Sequence, residues 1–243
     1  MSDDPEFDAA AAAIASAVDD EPLTARIAAS SRGSSNPAGL EWLADHLAVD
    51  ASSRLVDVGA GLGGPAAWFA DRRGCEVVAV EPAWGAVEGA SRLFDRPGAA
   101  VRILQGSALA VPLAARRFDA ALVLGVLSVV DDPRLALREA GRVARRLGVW
   151  EWCSTEDRAV EAGGSRFPTP DELLDWVAEC GWTVDDVQDG LDDPPPSWEE
   201  AADVSADDVP DEAEEQEGEV VGAIEAGRLR PFLVVASPQA EPA

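Results

Sequence analysis

Three features of the chain predict an α/β fold: a doubly wound, mostly parallel sheet of seven strands, with one reversed strand near its edge and helices on both faces. Between residues 54 and 153, short apolar runs alternate with segments of helical period, and such alternation needs crossover connections and so parallel strands. The first apolar run passes directly into a glycine-rich turn and then a helical segment. The last, Phe232–Ala236, is separated from Trp182–Val187 by a long acidic excursion, and its return beside that run would reverse one strand.

Residues 1–20 are rich in Ala and Asp without turn chemistry; they read as a frayed helix or a disordered acidic tail and carry no assigned role. Residues 21–50 read as two lid helices, because Leu23 and Ile27, then Leu40, Leu43 and Leu47, recur at helical spacing on either side of the polar turn Ser30 to Pro37. Residues 51–243 form the main domain. Its strands are expected at Arg54–Val58, Glu76–Glu81, Val101–Gln105, Ala120–Leu124 and Gly148–Cys153, then at the two late runs. Helices are expected at Pro65–Arg73, Ala86–Phe94 and Arg134–Arg146. Thr169 caps a further helix with Pro170 at its first position and Gly181 as its stop. Residues 188–229 form an insertion containing Pro194-Pro195-Pro196 and a helix ending near Ala226.

The 243 residues are 47% hydrophobic and carry 46 Asp and Glu against 19 Arg, with no Lys, for a net charge of −27. A chain of this length buries roughly 70–75% of its unfolded surface, so it needs neither disulfides nor a metal to fold. Cys75, Cys153 and Cys180 are widely spaced and His46 is the lone histidine, which excludes a structural zinc site and leaves reduced, buried thiols. No apolar run approaches the roughly 20 residues that span a bilayer. Met1 to Asp8 is acidic where a secretory signal is basic, so the expectation is a cytoplasmic protein with no membrane partner. The charge also argues against nucleic acid. Sixteen carboxylates lie between Asp185 and Glu219 while no Arg occurs between Arg166 and Arg228, the pattern of a solvated insertion. The expected partner is a small molecule; the sequence does not specify an oligomeric state.

The segment Val56-Asp57-Val58-Gly59-Ala60-Gly61-Leu62-Gly63-Gly64-Pro65 carries the chemistry. Glycines at such a strand-to-helix turn let a ligand lie against the main chain. Gly59, Gly61 and Gly64 satisfy the dinucleotide pattern G-x-G-x-x-G, whereas Asp57, Gly59, Gly61 and Gly63 satisfy D-x-G-x-G-x-G. Asp57 separates the two, since a carboxylate at the end of a buried strand is costly unless it meets donors or a positive group. An ammonium on the ligand would be such a group. Glu81 follows Gly59 by 22 residues at the next strand tip, the spacing that one βαβ unit requires.

Over residues 30–155 the chain resembles the class I S-adenosylmethionine (SAM)-dependent methyltransferases, small-molecule type, with a Rossmann-like sheet. The resemblance implies SAM as cofactor. It implies contact of Asp57 with the methionine amino group, of Gly59, Ala60, Gly61 and Gly63 with the ribose and methionine portions, and of Glu81 with the ribose hydroxyls. Pro82, with Ala83 and Trp84, would lie at the adenine. Ser107 stands where the family commonly has an acid; its hydroxyl and the Ala108 amide can reach the ring, without the charge-assisted bond. Leu124 and Gly125 would approach the methyl group. The family's N-P-P-Y is absent after the fourth strand, and its Pro-Gly-Gly before the fifth is reduced to Gly148.

The implied function is methyl transfer to O, N or C of a small-molecule acceptor held between the lid helices and the insertion. A non-catalytic SAM-binding scaffold is the alternative from another class. An NAD-dependent oxidoreductase accounts for the glycines and Glu81 but not for Asp57. No catalytic base is assigned. His46 shares a helix face with Trp42, the chain has no Tyr, and Asp131, Asp132 and Glu151 have no better claim. Trp150 and Trp152 share a strand face as core residues, with Glu151 on the other.

Overall fold

In a computed structural model of the protein, residues 5–31, 35–95, 100–191, 195–202 and 209–239 are described. Residues 1–4 of the expected tail, 32–34 of the polar turn, Pro194, and 203–208 of the insertion lie outside them. Strands β1 (Arg54–Val58), β2 (Glu76–Glu81), β3 (Val101–Gln105), β4 (Ala120–Leu124) and β5 (Leu147–Ser154) are joined by helices α4 (Gly64–Arg73), α5 (Trp84–Phe94) and α6 (Pro133–Val143), which follow β1, β2 and β4, while β3 leads to β4 without a helix. Helices α1 (Pro5–Ala17), α2 (Leu23–Ala29) and α3 (Pro37–His46) precede them. A hairpin, β6 (Val160–Ala162) and β7 (Ser165–Phe167), then α7 (Pro170–Glu179), β8 (Trp182–Asp189), α8 (Pro196–Ala202), α9 (Asp211–Glu225) and β9 (Leu229–Pro238) complete the chain.

The seven-stranded sheet has the order β3-β2-β1-β4-β5-β9-β8. β1 to β5 pair in parallel, and β9 runs antiparallel between β5 and β8, with Trp150 opposite Leu233. The reversed strand therefore lies next to the edge. The central strands are apolar on both faces because both faces are covered. Leu55, Val77, Leu122 and Trp150 pack beneath α1 to α5, while Val56, Val123, Val149 and Val234 pack beneath α6 and α7. Asn36, Asp132 and Thr169 cap α3, α6 and α7 by accepting the amides of Gly39, Leu135 and Glu172.

At the N-terminus the described residues follow the helical one of the two readings. Residues 5–17 form α1, which docks on α5 with Ala11 and Ala15 buried. The docking depends on small residues: a Cβ on Gly85 would overlap the Asp8 carbonyl oxygen, and one on Gly89 would lie 2.8 Å from the Ala15 Cβ. The β6–β7 hairpin was not expected, because three-residue strands hold too few residues to show a period. It carries a small satellite core in which Val160 and Phe167 meet Ala223 of α9 and Leu229. α8 packs on α2, and α9 touches α1.

Candidate functional site

The residues singled out in the sequence meet along the carboxyl ends of adjacent strands, where open parallel sheets bind ligands. The Gly59 and Ala60 amides both donate to the Val80 carbonyl, at 2.8 and 3.1 Å, and Gly63 donates to Ala60. This folds the loop after β1 across the tip of β2. Gly59 has φ of +75°, and a Cβ there would lie 2.6 Å from Val126 Cγ2, so both its conformation and the close approach of the loop after β4 require glycine. A Cβ on Gly61 would meet nothing within 4 Å, which leaves open space against the main chain.

Two buried carboxylates face this loop. Asp57 is 1% exposed; it accepts the Ala66 amide at the start of α4, and its Oδ2 has no partner. Burial, then the Glu81 charge, push its carboxyl up to about 7. Glu81 accepts the Gly61 amide at 2.9 Å on Oε2 and the Ala83 amide at 3.0 Å on Oε1. Burial raises its pKa and those two amides oppose the shift, while Asp8 on α1 adds a further upward push. Asp8 in turn accepts the Gly85 amide at 2.7 Å.

Further along the edge, the Gly106 amide donates to the Glu81 carbonyl, and Gln105 donates to the Pro82 carbonyl. This brings Ser107 and the buried Ala108 beside the β2 tip. Ser107 Oγ accepts the Leu109 amide at 3.1 Å. Trp84 opens α5 and stays 54% exposed. Leu124 ends β4, where the Gly125 amide donates to the Trp150 carbonyl. Trp150 is buried in the core with its indole nitrogen unpartnered.

His46 takes no part in this arrangement. Its ring stacks on Trp42 at 4.1 Å, its Nδ1 meets the Trp42 carbonyl, and its Nε2 lies 3.3 Å from Asp186 on β8, so it ties α3 to the far edge of the sheet. Cys75 and Cys153 are buried thiols, and burial raises the pKa of both. Among the described residues no His, Cys, Asp and Glu cluster suited to a metal occurs, and no helix is long and apolar enough to cross a membrane.

Sequence reasoning missed three contributors. Asp8 and its helix carry no assigned role in the sequence, although Asp8, Ala11 and Ala15 lie at helical spacing and meet Gly85 and Gly89 of α5. Ser30, at the end of α2, is buried against Gly64 with its hydroxyl unpartnered. Glu151 is wholly buried and accepts the Leu127 and Ser128 amides, the Ser128 hydroxyl and the Trp152 amide. Burial pushes its carboxyl up to about 7 despite these four bonds.

Residues 56–150 match a family model described as a methyltransferase domain. The ubiquinone biosynthesis O-methyltransferase of Azorhizobium caulinodans is 32% identical over 153 residues, which cover 58% of this chain and 60% of that protein. The chain thus spans less than two thirds of that relative's length. Of solved structures, the [4+2]-cyclase SpnF superposes with a TM-score of 0.69 at 23% identity, over 83% of this chain and 80% of its own. A geranyl diphosphate methyltransferase in complex with SAM superposes with a TM-score of 0.62 at 21% identity, over 82% and 84%. At these identities the two structures share the fold with this chain.

Proposed function

We propose that the chain, whose residues 56–150 match a methyltransferase-domain model, is a class I methyltransferase that binds SAM and transfers its methyl group to a small-molecule acceptor. The observation that carries the reading is the pair Asp57 and Glu81. Asp57 holds a buried, unpartnered Oδ2, a carboxylate oxygen suited to a ligand ammonium, and the main chain at Gly61 of the following loop is open. Glu81, fixed by two amides, presents its carboxylate to ribose hydroxyls. Gly59, Ala60, Gly61 and Gly63 would line the ribose and methionine portions, with Ser30 Oγ free to donate to the carboxylate end. Pro82, Ser107 and Ala108 would flank the adenine, and Leu124 would lie near the methyl group.

When bound, the cofactor supplies an electrophilic methyl carbon on a sulfonium. The chain's contribution is to align an acceptor in line with the methyl–sulfur bond and to keep water out. The N-terminal and inserted helices pack on one another beside the sheet, α1 on α5 and α9 and α8 on α2. The acceptor atom can be O, N or C. The named activity of the Azorhizobium relative makes hydroxyl compounds the first class to screen.

Calorimetric titration tests the reading. SAM and S-adenosylhomocysteine (SAH) should bind the wild type and bind Asp57→Ala and Glu81→Ala at least tenfold more weakly, whereas NADH should not bind. NADH binding without SAM binding would make the chain an oxidoreductase. SAM binding without SAH formation from any acceptor would favour a scaffold.

A further inference from the structure

The loop from the end of β4 to the start of α6, residues 125–132, is held from three sides. Toward the glycine loop, Val126 fills the space that Gly59 leaves, where a Cβ would lie 2.6 Å from it. Toward the hairpin, the Ser128 carbonyl accepts the Arg166 amide at 3.0 Å. From below, Glu151 Oε2 accepts the Leu127 and Ser128 amides at 2.8 and 3.2 Å, and Oε1 accepts the Ser128 hydroxyl at 3.0 Å. The same loop carries Val129, a large apolar side chain 63% exposed. Glu151 itself shows no surface and sits between Val149 and Cys153 on the face covered by α6 and α7.

We propose that Glu151 is a positioning residue: it fixes the height of the 125–130 loop against the glycine loop, and so places the acceptor-side wall of the methyl-transfer site. A buried carboxylate is retained only where donors replace its hydration. Here the donors are consecutive amides of a segment without ladder partners, the arrangement in which an anion organises a loop. Without the carboxylate, the Leu127 and Ser128 amides would be buried and unpaired, and the loop would move to find water. Such a movement takes Val126 away from Gly59. The functional half of the proposal rests on the methyltransferase reading; the structural half does not.

The test uses the full chain, SAH as probe, and amide resonances of Leu127 and Ser128. Glu151→Gln keeps the volume and one acceptor oxygen but removes the charge, and its NH2 must face either the Leu127 and Ser128 amides or the Trp152 amide. In the wild type, SAH should shift both resonances. In Glu151→Gln their hydrogen exchange should quicken about 10–100-fold, the loss expected for charge-assisted bonds, and the SAH-induced shifts should vanish while SAH affinity changes less than about threefold. Unchanged exchange together with retained shifts would overturn the proposal. If Glu151→Gln does not fold, Ser128→Ala removes one hydroxyl bond only and should quicken exchange about fivefold; no change would overturn the proposal equally. If SAH fails to bind the wild type, the methyltransferase reading falls, and the exchange rates alone decide whether Glu151 holds the loop.

Discussion

Replacing Asp57 by Asn should make the free protein more stable above neutral pH and nearly abolish cofactor binding. The unfolded carboxyl titrates near 3.8, and burial followed by the Glu81 charge raises it to about 7 in the fold. A raised acid favours folding in its protonated form, so its contribution is fully present below pH 3.8 and is lost as pH climbs through about 7. Above that pH the ionised group costs about 4 kcal/mol, three pH units at 1.36 kcal/mol each. Asn can still accept the Ala66 amide, but its NH2 takes the place of the unpartnered Oδ2, at a cost of about 1–3 kcal/mol. The net gain at pH 8 is then about 1–3 kcal/mol.

Urea unfolding at pH 5.5 and pH 8 measures this, and the stability difference between variant and wild type should grow by about 2 kcal/mol across that interval. Glu151, raised in the same direction by burial, adds to the decline of both proteins and cancels in the difference. Calorimetry at pH 8 should show SAH affinity lower by about 100-fold in the variant, the loss of one buried charge-assisted contact. In the wild type the affinity should weaken as pH falls below about 7, because the ligand must then displace a proton from Asp57. A variant less stable than the wild type at pH 8, a difference flat with pH, or unchanged SAH affinity would each refute the reasoning.

Gly59→Ala combines a φ of +75° with a Cβ 2.6 Å from Val126; unfolding should show a loss of about 2–4 kcal/mol. Gly85→Ala would drive the Asp8 backbone off α5, so limited proteolysis should release α1 and SAH affinity should fall about tenfold as the Asp8–Gly85 contact is lost. His46→Ala should leave SAH affinity unchanged and lower stability by no more than about 1 kcal/mol in urea unfolding, since its contact with Asp186 lies at the surface. With a net charge of −27, self-repulsion should be screened by salt: raising KCl from 0.05 to 1 M should raise the melting temperature by about 2–4 °C per kcal/mol relieved.

The sheet was legible because β1, β2, β4 and β5 are short, mostly apolar runs and helices follow β1, β2 and β4, a pattern that survives without knowledge of partners. The reversed β9 followed from one long excursion before a final apolar run. The strand-end residues Asp57, the glycines and Glu81 were legible because chemistry there follows from spacing within one βαβ unit. What did not show was whatever depends on contacts between distant segments. α1 reads as a frayed helix or a tail since its Ala-rich face is weakly apolar; its docking shows only once Gly85 and Gly89 lie against Asp8 and Ala15. Glu151 reads as the polar side of a strand, and its role exists only once Leu127 and Ser128 fold over it. His46 reads as a lid residue, while Asp186, its anchor, lies 140 residues away.

The fold alone does not decide the reaction. The [4+2]-cyclase SpnF and a geranyl diphosphate methyltransferase both superpose on the chain, at TM-scores of 0.69 and 0.62, so the same architecture serves differently named chemistries. Asp57 and Glu81 argue for the cofactor, and an orphaned carboxylate oxygen is a reason to expect an ammonium there whatever follows. Binding therefore separates cofactor users from other α/β proteins, and it cannot separate a transferase from a scaffold. Conversion can. If the chain is a transferase, some acceptor should release SAH at a rate that Asp57→Asn lowers at subsaturating SAM and that Glu151→Gln lowers even at saturating SAM, because the first residue holds the donor and the second places the wall against which the acceptor is aligned.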